Sequence, residues 1–191
     1  MTYIRKALLL ITLFLSALVA SAKENITHYV NTFIGTTNYG TTNPGAVCPN
    51  GMMSVTPFNV MGSEMNPYDK DSRWWSTPYT SDNKYLTGFS HVNLSGVGCP
   101  EVGLALTMPT SGPLQVDYHI YGSEYHAQEA EPGYYGCELL AHGIKAEVSA
   151  TPRTSIERYT FPGGQGNILV NFGEGLTNKT GAWIRKVSER E

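Results

Sequence analysis

The sequence predicts an all-β protein, an antiparallel β-sandwich with roughly nine or ten strands. Short apolar or alternating runs recur along the chain, and Gly, Pro, Asn and Thr separate them. After the N-terminal segment, no window keeps a helical hydrophobic period for eleven residues. The alternating runs are typical of strands that bury one face and expose the other.

The first 22 residues predict a secretory signal peptide. Arg5 and Lys6 precede an apolar run at residues 7–19, and residues 20–22 are small, as at a cleavage site. The apolar run is too short to span a bilayer. Residues 23–191 are then one domain, exported to the periplasm or the extracellular space.

The charge of the chain argues against two classes of partner. The formal net charge is −3, and removing Arg5 and Lys6 makes it −5. We find no basic patch in the sequence, so we expect no binding to nucleic acid or to anionic membrane surfaces.

The strand predictions follow in chain order. A strand is expected at residues 29–35, and another at 51–58 after a polar loop. Residues 104–108 form a buried apolar run, and residues 114–120 alternate without a break. A hairpin joins residues 134–140 to 144–150 through a loop that ends in Gly143. Further strands are predicted at 154–161, 168–172 and 182–188, and residues 124–131 could form one or two helical turns.

Residues 88–103 are the segment that organises the chain. Polar side chains are set among glycines there, which predicts an irregular loop rather than a strand or a helix. Such a loop on a β scaffold can hold a binding site. The alternative is a structural loop whose polar groups satisfy its own backbone.

Three residue types are candidates for a site. Trp74 and Trp75 lie side by side in a polar, proline-broken segment, where an indole can stack on a sugar ring or fold back onto the core. His91 could donate to a sugar hydroxyl or act as an acid or base, but a satisfied structural histidine is the alternative. Cys99 has no nucleophile signature around it, so a structural or ligand-lining role is favoured.

The cysteines and carboxylates set limits on the chemistry. The chain has three cysteines, Cys48, Cys99 and Cys137. Because this number is odd, at least one thiol is free, and Cys48 could pair with Cys99. Glycoside hydrolysis needs two carboxyl groups on either side of the bond. Only Glu101 lies in the organising loop, and no convincing acid–base pair is found. The acidic residues on predicted strand faces, expected to be solvated, are Asp117, Glu147 and Glu157.

Several ordered motifs follow one another along the chain. They are YVNTFIGT at 29–36, NPGA at 43–46, GFSH at 88–91, LSGVGCP at 94–100, MPTSGP at 108–113, PGYY at 132–135, GIKAE at 143–147, ATPR at 150–153 and RYTFP at 158–162. Together these motifs cover nearly all of residues 29–172, and they resemble glycoside hydrolase family 92.

The resemblance implies an exo-acting, calcium-dependent, inverting α-mannosidase that acts on mannose-containing glycans. It implies an N-terminal β-sandwich followed by an (α/α)₆ domain that supplies the general acid, the general base and most of the calcium site. This chain is similar to the N-terminal sandwich alone, in whole or in part, so no catalytic residue or metal ligand is assigned to it. We expect no complete calcium site and no activity from it alone.

The resemblance also implies which residues line the sugar pocket: His91, Ser95 and Cys99, with Trp74 or Trp75. Two departures bear on linkage preference. Asn93 stands where many members have a second histidine, and Glu101-Val102 stands where Asp-Leu is common. The alternative functions are a free-standing, non-catalytic carbohydrate-binding sandwich and a purely structural domain.

Overall fold

A computed structural model describes residues 25–37, 40–66, 77–94, 96, 98, 102–176 and 181–188. Within these ranges it contains ten strands and one short 3₁₀ turn at Ile26–Tyr29. The strands, in chain order, are β1 Ala46–Val47, β2 Ser54–Phe58, β3 Tyr85–Leu86, β4 Gly88–Asn93, β5 Val102–Ser111, β6 Ser123–Glu131, β7 Tyr134–Leu139, β8 Ile144–Ala150, β9 Ser155–Thr160 and β10 Gly166–Asn171.

The strands form two five-stranded antiparallel sheets, which confirms the predicted fold class. The first sheet has the order β1-β2-β4-β5-β10, and the second has the order β3-β6-β7-β8-β9. Strands β7 and β8 are the predicted hairpin, with Leu139 paired to Ile144. Strand β9 confirms the prediction at 154–161.

The main core lies between the sheets. Phe89 on β4 is fully buried, and its ring contacts Tyr135 on β7 and Tyr159 on β9 with centroid distances of 6.4 and 6.1 Å. A smaller apolar cluster lies on the other face of the first sheet, where the 113–121 segment contributes Tyr118. Its buried members are Phe58, Val60, Met61, Leu106 and Leu176.

The organising segment is more regular than predicted. Its first six residues are strand β4, and its last two begin β5, so residues 94–101 connect them, of which the structure describes 94, 96 and 98. Glycine content misled the prediction because only Gly88 and Gly103 fall within these strands. Strand β4 pairs with β2 and β5, and its polar residues Ser90, His91 and Asn93 follow the buried Phe89.

Two predicted strands are wrong because side chains bind the backbone locally. At residues 29–35, the Asn31 side chain accepts a hydrogen bond from the Phe33 amide at 3.0 Å, which favours a turn. At residues 114–120, the Asp117 side chain accepts from the His119 amide at 3.0 Å, and the Asp117 carbonyl accepts from the Ile120 amide at 3.0 Å. These contacts replace a strand ladder.

Three other predictions also need correction. Residues 124–131 are strand β6 rather than helical turns. Residues 182–188 form no regular strand in the structure. Residues 168–172 fall largely within β10, but the run is not fully buried, because β10 is the last strand of its sheet and Ile168 is 58% exposed.

No helix in the described part of the chain is both long and apolar enough to span a bilayer.

Candidate functional site

Of the predicted pocket residues, His91 is the one that the structure describes. Trp74, Trp75, Ser95 and Cys99 lie outside the described residues, so the structure gives no geometry for them, and their roles stay predictions. Cys48 and Cys137 both have free thiols, and Cys137 is buried on β7.

His91 points from β4 toward the opposite sheet. Its Nδ1 lies 2.7 Å from the carbonyl oxygen of Ala105 on β5, and its Nε2 contacts Oε1 of Glu157 on β9. The side chains of His91 and Glu157 are only 12% and 15% exposed. Because both ring nitrogens face acceptors, the doubly protonated imidazolium satisfies both contacts.

Glu157 receives two further hydrogen bonds. The Thr107 hydroxyl donates to Glu157 Oε2 at 2.7 Å, and the Tyr159 hydroxyl donates to the same oxygen. Thr107 and Tyr159 also contact each other, with 3.1 Å between their oxygens. The four side chains His91, Glu157, Thr107 and Tyr159 therefore form one polar cluster, here called the inter-sheet cluster.

The inter-sheet cluster favours the charged forms of His91 and Glu157. Burial alone would lower the pKa of His91, but hydrogen bonds to Glu157 and Ala105 outweigh it and raise the pKa above its ordinary value of 6.5. Burial alone would raise the pKa of Glu157, but its bonds from His91, Tyr159 and Thr107 lower the pKa below 4.5. The cluster thus holds a half-buried ion pair.

The backbone around His91 is irregular. The pairing of β4 with β5 shifts register between Ser90 and His91. Val92, Val102 and Ala105 have φ angles of 55°, 68° and 52°, in the left-handed region. Such a conformation costs a β-branched residue on the order of 1–3 kcal/mol, so the surrounding contacts must hold it.

Asn93 holds the end of β4 from the other face. Its side-chain amide donates to the Ser90 carbonyl at 2.8 Å, its Oδ1 accepts from the Ser90 hydroxyl at 2.8 Å, and its backbone amide donates to Ser54 Oγ at 2.8 Å. Gly103 lies against this group with φ 70°, and a Cβ there would lie 3.1 Å from Ser90 Oγ and 3.2 Å from Asn93 Oδ1. A side chain at 103 would therefore disturb the Ser90–Asn93 contact.

Sequence reasoning missed the partners of His91. Glu157 was expected to be solvated on a strand face, but it faces the opposite sheet. The one available signal was alternation in β9, where Glu157 shares a face with Tyr159 and Ser155. Because Ile156 is apolar and lies on the opposite face with Arg158, the pattern did not say which face is inside.

The other carboxylates on predicted strand faces have local partners. Glu147 on β8 accepts from Arg158 at 2.8 and 2.7 Å, which lowers its pKa to about 2. Asp117 lies in the turn described above. In the described part of the chain, no three His, Cys, Asp or Glu side chains come together to hold a metal ion.

Comparison with known proteins places this geometry in a family. The chain matches the glycosyl hydrolase family 92 N-terminal domain over residues 29–191. A relative from Arthroderma benhamiae, described as an uncharacterized secreted glycosidase, is 27% identical over 168 residues, which are 82% of this chain and 20% of the relative.

Solved structures agree in fold. A family GH92 α-mannosidase from Bacteroides thetaiotaomicron has a TM-score of 0.69 and 30% identity, covering 80% of this chain and 21% of that one. The same enzyme in complex with mannoimidazole has a TM-score of 0.69 and 31% identity, and the match covers 80% of this chain and 20% of that one. A further GH92 family glycosyl hydrolase has a TM-score of 0.65 and 28% identity, and the match covers 79% of this chain and 21% of that one.

The chain spans about a fifth of the length of these relatives. The family match covers most of the chain, and the two antiparallel sheets agree with the matched structures. The chain belongs to glycosyl hydrolase family 92, as an N-terminal β-sandwich domain of that family.

Proposed function

We propose that this chain forms the N-terminal side of the sugar pocket in an exported, calcium-dependent, inverting α-mannosidase that acts on mannose-containing glycans. The observation that carries the proposal is the match to the family's N-terminal domain over residues 29–191, in a chain about a fifth as long as its relatives. The mannoimidazole complex of one matched mannosidase supports a mannose-type ligand.

In this proposal the chain positions the sugar and does not break the bond. The general acid, the general base and most calcium ligands belong to an (α/α)₆ domain that is not part of residues 23–191. Trp74 or Trp75 stacks on a mannose ring, and Ser95 and Cys99 contact it from the 94–101 loop. His91 is assigned a different role from the pocket-lining one predicted from the resemblance: both of its ring nitrogens already have partners in Ala105 and Glu157, so it supports the base of that loop.

Export is part of the same proposal. The basic and apolar residues at 1–22 are a signal peptide, and the relative from A. benhamiae is described as secreted. The mature chain then works in the periplasm or outside the cell.

Binding of mannobiose tests the role of the tryptophan segment. We expect the purified chain to bind α-linked mannobiose weakly, and Trp75→Ala to reduce affinity by about 1–3 kcal/mol, since aromatic anchors dominate such contacts. Titration calorimetry or NMR titration measures the affinity.

Trp183→Ala is the matched control, because Trp183 is 83% exposed and is not among the residues assigned to the proposed pocket. Its affinity should equal that of the unsubstituted chain. Equal losses in both variants, or no binding of mannobiose at any concentration by the unsubstituted chain, would contradict the pocket role.

A further inference from the structure

At the end of β4 the backbone is in a strained conformation that neighbouring contacts must stabilise. Val92 takes a left-handed conformation immediately after His91 and before Asn93. On one face, the Ser90–Asn93–Ser54 contacts hold Asn93. On the other face, His91 is held by Ala105 and Glu157. Val92 is thus fixed between two residues that are each bound on opposite faces of the sheet.

The inter-sheet cluster is what connects this point to the second sheet. Glu157 belongs to β9, the last strand of that sheet, whereas His91 and Thr107 belong to the first sheet. Next to it, the Phe89 ring on β4 packs against Tyr135 and Tyr159 of the second sheet. The ion pair, with its two further donors, adds a directional polar contact between β4 and β9 at this end.

We propose that His91 and Glu157 are a positioning pair that sets the direction in which the chain leaves β4 at Asn93 and returns at Val102. Through that direction, the pair sets the affinity of the pocket for the sugar. This second step rests on the proposed function, whereas the first does not. Neither residue touches the sugar in this proposal.

The position of Gly96 is consistent with a defined path for the loop. Its amide donates to the Thr41 carbonyl at 3.1 Å, so the segment after β4 is tied to the polar loop before β1. A shift in the exit direction at Asn93 would change this contact. The Gly96 amide therefore reports on the position of the loop.

The contact between His91 and Glu157 depends on pH, because both residues must be charged. Among the described residues, Glu157 on β9 is the titratable group in contact with His91, and Tyr159 on the same strand donates to Glu157. Glu157 has a lowered pKa, so its contribution is present above 4.5 and is lost as the pH falls through its pKa in the folded chain. His91 has a raised pKa, so its contribution is complete below 6.5 and is lost as the pH rises through its folded pKa. The pair is complete between these limits.

The test compares Glu157→Gln with Glu147→Gln in the full chain. Glu147 is the matched control. Its substitution also removes a charged contact, the one to Arg158, but this contact lies on the outer face of the second sheet, between β8 and β9. NMR at pH 5.5 follows the amides of Leu94, Gly96 and Gly98, and long-range ¹H–¹⁵N spectra follow the ring nitrogens of His91. Mannobiose titration is run on the same samples.

Glu157→Gln should move all three amide resonances, lower the pKa of His91 and weaken mannobiose binding by about tenfold, a factor that corresponds to 1.4 kcal/mol. Glu147→Gln should leave the amide resonances, the pKa of His91 and the affinity for mannobiose unchanged. In the unsubstituted chain, the amide positions should change again as the pH rises through the pKa of His91. His91→Gln should reproduce the amide changes of Glu157→Gln.

If the three amides respond alike in both glutamine variants, or in neither, the pair stabilises the fold only and the positioning proposal is wrong. If the amides respond to Glu157→Gln but the unsubstituted chain does not bind mannobiose, the pair positions the loop while the proposed function fails. If the amides move and affinity does not change, the loop is positioned but its position does not set affinity, which contradicts the second step.

Discussion

Phe89→Ala should lower the free energy of unfolding by about 3–5 kcal/mol, as for a large aromatic removed from a packed core. The Phe89 side chain is fully buried, and its ring joins β4 to Tyr135 and Tyr159 of the second sheet. Removing it leaves a cavity that rigid strands on both sides cannot fill. Urea denaturation, followed by circular dichroism, measures the loss.

Phe172→Ala is the control for this experiment. Phe172 follows β10 and is 37% exposed, so its removal should cost under about 1.5 kcal/mol. If the two variants lose equal stability, Phe89 does not lie in the core between the sheets, and the assignment of that core is wrong.

Asn59→Ala should cost about 2–4 kcal/mol, since it leaves several buried groups without partners. Asn59 is completely buried after β2. Its side-chain amide donates to the Thr80 carbonyl and the Tyr125 hydroxyl, both at 2.8 Å, and its Oδ1 accepts from the Thr80 amide at 2.9 Å. These bonds hold the 77–85 segment, through which the chain returns from the residues around Trp74 and Trp75.

Asn59→Asp separates hydrogen bonding from volume. An ionised carboxylate keeps the bond from the Thr80 amide but repels the Thr80 carbonyl, so the variant should be less stable at pH 7 than at pH 4 relative to the unsubstituted chain. Asn167→Ala is the control, because the half-buried Asn167 bonds only Thr110 and Gly112 at the sheet edge, and its loss should cost under about 1.5 kcal/mol. An Asn59→Ala cost equal to that of the control would contradict the buried network.

The sequence was sufficient to predict the sandwich and several of its strands. The hairpin of β7 and β8 was predictable because Ile144, Ala146 and Val148 alternate with polar residues and the loop ends in glycine. The failures at 29–35 and 114–120 arose where Asn31 and Asp117 bind nearby amides, since a hydrophobic pattern does not contain that competition.

The inter-sheet cluster could not be predicted in the same way. His91 and Glu157 are 66 positions apart and meet only because β4 and β9 lie in opposing sheets. Alternation placed Glu157 and Tyr159 on one face of β9 but did not decide whether that face was inside. The family resemblance, in contrast, depended on ordered local motifs such as GFSH at 88–91, which the sequence shows directly.

The most direct test of the account is turnover of α-linked mannobiose by the purified chain in the presence of calcium. If this chain supplies only sugar contacts, and another domain supplies the acid, the base and most calcium ligands, no mannose should be released above the buffer control, even with mannobiose bound. Calcium-dependent release of mannose by residues 23–191 alone would show that the catalytic groups lie within this chain and would contradict the account.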